Sequence, residues 1–395
     1  MTTASLSHNP RVLSSPAAPV CGEVERYTAH DVPLGEWFIK LLDVPDPDVS
    51  RLGGLLVDNG GGLEVESQAE GRAEVVLCLP EAFRDRFTAQ VLDNASPSVA
   101  KAISSTLDAY RRSTFRLDCR ATPLEVGKRT LIMGVVNVTP DSFSDGGELL
   151  DPEAAVAHAQ RLVEEGADIL DIGGESTRPG AQPVSVNTEL ERVIPVIEAL
   201  ASHVNVPISI DTSKARVAER ALEAGASIIN DVTALRGDPA MRAVAAHSGV
   251  PVVLMHMKGT PRTMQRNPTY ADLMGEIVGH LRASMTMAVR AGVSEEQIIV
   301  DPGIGFGKTL GHNLEIMRRL GELRSLGRPI LLGTSRKSMI GAILDVPPPQ
   351  RLFGTAATLA FGIQRGAHIL RVHDVRPAVH VARMTDAMLP RPSRS

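Results

Sequence analysis

From Leu131 onward the chain repeats one pattern: a short apolar run, a polar ending, then a stretch with helical spacing. The first run, Leu131 to Val136, shows no period-2 alternation, so both faces of its strand are covered, as in a parallel sheet packed by helices. It stops at Asn137, and Pro140 with Gly146 and Gly147 breaks the continuation into a loop that carries Asp141 and Asp145. Seven further runs follow at 168–172, 208–210, 227–229, 251–255, 298–300, 329–332 and 369–372. Helical spacing fills the intervals at 152–165, 188–202, 214–224, 239–247, 270–291, 313–326, 350–365 and 376–388. Several of these end in glycine just before the next strand, at Gly166, Gly225, Gly249 and Gly366, where a left-handed C-cap is wanted.

Eight β-α units in about 260 residues match a closed (β/α)8 TIM barrel, which typically takes roughly 250. An open doubly wound sheet is the alternative, but no Gly-x-Gly-x-x-Gly follows the first strand. Ahead of the barrel (114–390) the reading is a disordered lead rich in Ser, Pro and Ala (1–22) and a small α+β accessory domain (23–113); 391–395 is a tail. Within the accessory domain the patterns predict a brief helix over Gly35 to Leu42 and a hairpin of Leu55 to Val57 with Leu63 to Glu66 around Asp58 to Gly62. A strand over Ala73 to Leu79 and helices over Glu81 to Leu92 and Ser98 to Arg112 follow. None of this carries a motif linked to chemistry. A short hairpin, Phe115 to Val126, is expected to cover the barrel's N-terminal mouth, with the accessory domain opposite the active site and dispensable for it.

Composition removes several classes of function. A net charge of −5 and 3% aromatic residues provide neither a basic patch nor a stacking platform, which argues against nucleic acid. Cys21, Cys78 and Cys119 form no Cys-x-x-Cys pair, so neither a disulfide framework nor a zinc site is indicated and a reducing cytoplasm fits. No secretory signal pattern opens the chain, and no uncharged apolar run is long enough to span a membrane.

In a closed barrel the chemistry sits at the C-terminal ends of the strands. Here those ends are Asn137, Gly173 to Gly180, Asp211 to Ser213, Asn230-Asp231, His256 to Lys258, Asp301 to Lys308, Gly333 to Lys337 and Arg371 to Asp374. Any one ending alone is as well explained by an N-cap or a satisfied turn; their convergence on one rim points to a site. Asp211, Asp301, Asn230 and Lys337 suit a flat heterocycle with an amino-pyrimidinone edge, offering acceptors for its N–H groups and donors for its carbonyl. Asn137, Arg178, Arg371 and His373 suit phosphate oxygens. Two features are decoys. Gly303 to Thr309 resembles a phosphate loop but has Pro302 where the Walker glycine belongs. His256 between two methionines is better explained as packing than as a soft-metal site.

Five motifs together resemble dihydropteroate synthases: Asn137 to Gly147, Gly174 to Gly180, Asp301 to Lys308, Ser335-Arg336-Lys337 and Arg371-Val372-His373. The resemblance spans about Phe115 to Met388 and leaves out the first hundred or so residues. It implies a cytoplasmic transferase of folate biosynthesis that condenses 6-hydroxymethyl-7,8-dihydropterin diphosphate with 4-aminobenzoate, releasing diphosphate and 7,8-dihydropteroate. By motif position, Asp211, Asn230, Met255, Asp301, Phe306, Gly333 and Lys337 would bind the pterin. Asn137, Arg371 and His373 would bind diphosphate, with Mg²⁺ on Asn137. Phe143, Thr177, Pro179, Ser335 and Lys337 would surround 4-aminobenzoate, and Asp211, Asp301, Lys337, Asp145 and Arg178 would be the catalytic set. A homodimer is implied as well. A corrinoid-linked pterin methyltransferase and a catalytically silent pterin-binding regulatory barrel are the alternatives. Ser335 to Lys337 and Arg371 to His373 argue against methyl transfer, which has no diphosphate to bind.

Overall fold

The computed structural model describes residues 11–13, 36–69, 71–120, 122–139, 152–176, 182–260 and 263–389. The chain divides into two compact units, residues 1–113 together with Arg318–Gly327, and Thr114–Met317 together with Arg328–Ser395.

The first unit is α+β. Strands β1 (Arg11–Leu13), β2 (Glu36–Pro45), β3 (Gly62–Ala69) and β4 (Arg72–Pro80) form an antiparallel sheet in the order β1-β2-β4-β3. Against it lie α1 (Asp46–Asp58), α2 (Arg84–Asn94) and α3 (Pro97–Arg111). Two expectations are corrected here. Gly35 to Leu42 falls in a strand, because Glu36–Leu41 pairs with Val75–Pro80 and the alternate residues Ile39 and Leu41 enter the core. Leu55 to Val57 falls in α1, whose core face is Leu52 and Leu56, one helical turn apart. The glycine-rich stretch read as a hairpin turn instead ends that helix at Asn59 and Gly60, the latter at φ +68°.

The stretch Leu320–Leu326 belongs to this unit although it lies far away in sequence. It is a 3₁₀ run following the helix Leu310–Arg319 and not the continuous helix that the 313–326 pattern suggested. Leu320, Leu323 and Leu326 are buried, and residues three apart eclipse in a 3₁₀ helix, so that winding points all three one way. The segment packs on α3, with the Arg324 guanidinium 4.3 Å above the Tyr110 ring.

The second unit is the expected barrel. Strands β7 (Leu131–Asn137), β8 (Ile169–Gly173), β9 (Ile208–Asp211), β10 (Ile228–Asp231), β11 (Val252–Met255), β12 (Ile298–Asp301), β13 (Leu331–Leu332) and β14 (Ile369–Val372) are parallel, in the order β12-β11-β10-β9-β8-β7-β14-β13. A parallel bridge between Val300 and Ile330 joins the two ends and closes the ring. The barrel floor is one apolar layer. Leu131, Met133, Ile169, Ile228, Val253, Ile299, Leu331 and Ile369 point inward, and Phe115, Leu117, Cys119 and Val126 of the hairpin β5 (Phe115–Leu117) and β6 (Leu124–Val126) pack into them. The hairpin thus plugs the N-terminal end, where those strands begin. Among the described residues no helix is long and apolar enough to cross a membrane.

Because 318–327 is part of the first unit, deleting residues 1–113 strips the partners from a segment that the shortened chain still carries. Exposing each of Leu320, Leu323 and Leu326 costs roughly 1.5–3 kcal/mol. A chain starting at 114 should unfold at lower urea than the full-length protein; an unchanged barrel transition would show that this segment is held without the first unit.

Candidate active site

Period-2 geometry builds the mouth. Two residues above each inward apolar side chain of the floor stands the next inward position: Asp171 above Ile169, Asn230 above Ile228, Met255 above Val253, Asp301 above Ile299, Gly333 above Leu331 and Arg371 above Ile369. Register aligns the strand ends, with Asn137 beside Gly173, Gly173 beside Asp211 and Asp211 beside Asn230. Met255 lies beside Asp301. Asp231, of opposite parity, turns away and caps the backbone N–H groups of Thr233 and Leu235.

The centre is an ionic set. Arg371 Nε donates to Asp171 Oδ2 at 2.6 Å and Nη2 donates to Asp211 Oδ2 at 2.7 Å. Asn230 Nδ2 donates to the same Asp171 oxygen at 3.1 Å. Burial pushes the Asp211 carboxyl up to about 7; Arg371 opposes this, and Asp171 adds to it. Burial disfavours the Arg371 cation, yet Asp171 and Asp211 hold its pKa above the ordinary guanidinium range. Asp171 was missed in the sequence because its strand reads as a plain apolar run; the signal was a carboxylate two places after the inward Ile169.

On the opposite wall Met255 and Phe306 pack with Val232 and Met264, the last two also unanticipated. Lys337 Nζ lies 4.4 Å from the Phe306 ring centre. Asp301 Oδ1 accepts from Gly303 N at 2.6 Å, and burial raises its pKa despite that bond. The loop after β12 is pressed flat: a Cβ on Gly303 would lie 2.0 Å from the His256 carbonyl oxygen, at φ +67°, so only glycine fits. Lys308 holds this loop from inside, donating to the carbonyls of Phe306 (2.9 Å) and His256 (3.3 Å) with His256 Nδ1 at 2.9 Å. Burial draws Lys308 down to about 7 and, with Lys308 beside it, His256 down to about 2. The lysine of the apparent phosphate loop therefore points into protein.

At the third side, Ser335 Oγ accepts from His373 N (3.2 Å) and lies 3.1 Å from His373 Nδ1. Arg336 is left-handed at φ +58° and makes a bidentate pair with Asp374, at 3.0 and 2.5 Å. That pair ties the β13 and β14 ends together. Burial first, then Arg371, pulls His373 down to about 3, so at neutral pH it offers a neutral N–H and not a cation. Phe143, Asp145, Thr177, Arg178 and Pro179 lie outside the described residues. Among the described residues no three His, Cys, Asp or Glu side chains are grouped to hold a metal ion. Asn137 Oδ1 stands at the rim, 3.9 Å from the place a Cβ on Gly173 would occupy. One amide oxygen suits Mg²⁺, which keeps several waters and takes substrate phosphate oxygens in preference to an all-protein cage.

Comparisons with known proteins agree with this geometry. A family model described as pterin binding enzyme matches residues 133–373. The chain is 51% identical over 270 residues to the dihydropteroate synthase of Bacillus subtilis, covering 68% of this chain and 92% of that one. It is 48% identical over 258 residues to that of Escherichia coli, covering 65% and 91%. A solved structure of Xanthomonas albilineans dihydropteroate synthase with 4-aminobenzoic acid superposes with a TM-score of 0.66 at 47% identity, covering 70% of this chain and 100% of that one.

The raised Asp211 pKa sets a pH dependence. If ionised Asp211 accepts ligand N–H groups, a proton competes below the free protein's value near 7. Pterin affinity should then fall by up to about tenfold per pH unit on the acid side and level off above it. Calorimetric titration with 6-hydroxymethylpterin across this range checks it; Asp211→Asn should flatten the acid limb, and an unchanged limb would assign it to another group.

Proposed function

The chain belongs to the dihydropteroate synthase family, transferases of folate biosynthesis, and we propose how its barrel mouth divides the labour. The C–O bond between the pterin methylene and diphosphate breaks, diphosphate leaving with the electron pair. The amine of 4-aminobenzoate forms the new C–N bond and gives up a proton, yielding 7,8-dihydropteroate. The observation that carries this assignment is the pairing of Arg371 with Asp171 and Asp211 beside Asn230. It combines acceptors for a pterin edge with a guanidinium on β14, the strand that leads into His373.

Asp211, Asn230 and Asp301 accept from pterin N–H groups, Lys337 donates to its ring, and Met255 and Phe306 with Gly333 shape the slot. Asp301 also opposes positive charge that develops at the methylene. Arg371, His373 and Asn137 bind the diphosphate; Asn137 is the residue that would hold Mg²⁺, which would supply Lewis-acid charge when bound. Ser335 and Lys337 take 4-aminobenzoate together with Phe143, Thr177 and Pro179, while Asp145 and Arg178 complete the catalytic set. The arylamine is a neutral, weak nucleophile, so its position matters more than its activation.

A cytoplasmic setting is supported by Cys119, buried in the barrel floor and, among the described residues, in no disulfide. A homodimer is supported by exposed apolar side chains on the helices Ser338–Leu344, Leu352–Gln364 and Val375–Met388: Ile343, Leu344, Phe353, Met384 and Met388, with Phe353 84% exposed. Large apolar side chains left exposed on three successive helices favour an association face.

Diphosphate release by the purified chain with the pterin diphosphate should require 4-aminobenzoate; release without it, or none with both substrates, would defeat the reaction assignment. Arg371→Lys should lower kcat/KM about ten- to hundredfold, because an ammonium cannot grip two carboxylates in one plane. Normal turnover would remove Arg371 from the site. Phe353→Glu should shift the sedimentation coefficient from dimer to monomer; an unchanged value would place the contact elsewhere.

A further inference from the structure

We infer that Asp171, on the floor of the mouth, is a positioning residue that fixes which atoms of Asn230 and Arg371 face the substrate. The inference rests on the reading of the mouth as a pterin and diphosphate site. Asp171 is 0% exposed and has the wrong depth to be a rim ligand: its register partners on β7 and β9 are Val135 and Ser209, two residues below Asn137 and Asp211.

An asparagine amide can present either its oxygen or its nitrogen, and its neighbours decide which. An ionised carboxylate only accepts. Asp171 Oδ2 at 3.1 Å therefore draws the Nδ2 of Asn230 toward β8 and leaves Oδ1 of Asn230 to face the slot as an acceptor. The same oxygen takes Arg371 Nε at 2.6 Å while Nη2 is held by Asp211. With the guanidinium plane fixed by two carboxylates, both Nη1 hydrogens and one on Nη2 remain for an anion. Among the described residues, Asp171 Oδ1 is buried and has no hydrogen-bond partner. A residue retained for packing alone would avoid that cost, whereas one retained to hold two ligands through its other oxygen can carry it.

The test exchanges donor and acceptor. Asp171→Asn should weaken 6-hydroxymethylpterin and inorganic diphosphate binding by about tenfold or more in calorimetry, with the near-UV circular dichroism of the wild type. In an Asn230→Ala background the pterin penalty should shrink to about threefold or less, because the route through Asn230 is already cut. The reciprocal pair Asp171→Asn/Asn230→Asp restores one donor and one acceptor, preserves the total charge and again leaves an acceptor facing the slot. It should recover pterin binding to within about threefold of wild type. If Asp171→Asn alone does not fold, this swapped pair still decides. Wild-type affinities in Asp171→Asn, a full penalty persisting in the Asn230→Ala background, or a swapped pair that fails to bind would overturn the inference. Failure of the wild-type chain itself to bind pterin would overturn the site reading, and the inference with it.

Discussion

One guanidinium between two carboxylates, sunk inside a barrel, governs this structure. Desolvating three charges is expensive, and the cost is met only where the partners are close and well aligned. Arg371 meets both carboxylates within 2.7 Å. The set is also unbalanced, with two acidic groups to one cation. The imbalance appears as an Asp211 carboxyl pushed up to about 7, for which burial is the leading cause. A mouth of this kind favours a ligand that brings N–H donors to the carboxylates and an anion to the remaining guanidinium hydrogens. In a low-dielectric site such bonds are strong when made and costly when missing.

The barrel can carry that set because the layer beneath it is dry and closed. Every strand except β9 contributes an apolar residue to the floor, and the Phe115–Val126 hairpin seals the end where water would otherwise enter. Above the floor, the walls are held by bonds that never touch a ligand. Lys308 pins the glycine loop that carries Phe306, Tyr270 Oη donates to Gly307 O at 2.7 Å, and Asn313 Oδ1 accepts from Gly305 N at 2.8 Å. The Arg336–Asp374 pair does the same for the segment bearing Ser335 and Lys337. Pre-organisation therefore comes from loops locked to the strand ends, while the strands supply the ionic set itself.

Much of this was readable from residue order. Apolar runs that end in polar groups, with glycine closing several of the helices, specify the barrel, and position on the strand then places Asn137, Asp211, Asn230, Asp301 and Arg371 at one mouth. Asp171 was not readable by the same rule, because it lies inside a run and not at its end; only inward parity, counted from Ile169, exposes it. The first unit was less legible for a different reason. Glu36–Pro45 is a strand because β4, which begins at Arg72, pairs with it, and no local pattern carries that information. Leu320–Leu326 likewise keeps a helical pattern but takes the winding that points Leu320, Leu323 and Leu326 at a face contributed by α3.

The mouth depends on the shared charge, and the carboxyl group of Asp211 reports it directly. Carbon-13 NMR of aspartate carboxyls in the ligand-free protein, with Asp211→Asn used for assignment, follows that group through its titration. A midpoint near 7 that falls when Asp171→Asn removes the neighbouring charge is the result predicted. A midpoint in the ordinary aspartate range near 4, unmoved by that substitution, would contradict a mouth organised around one cation divided between two acids.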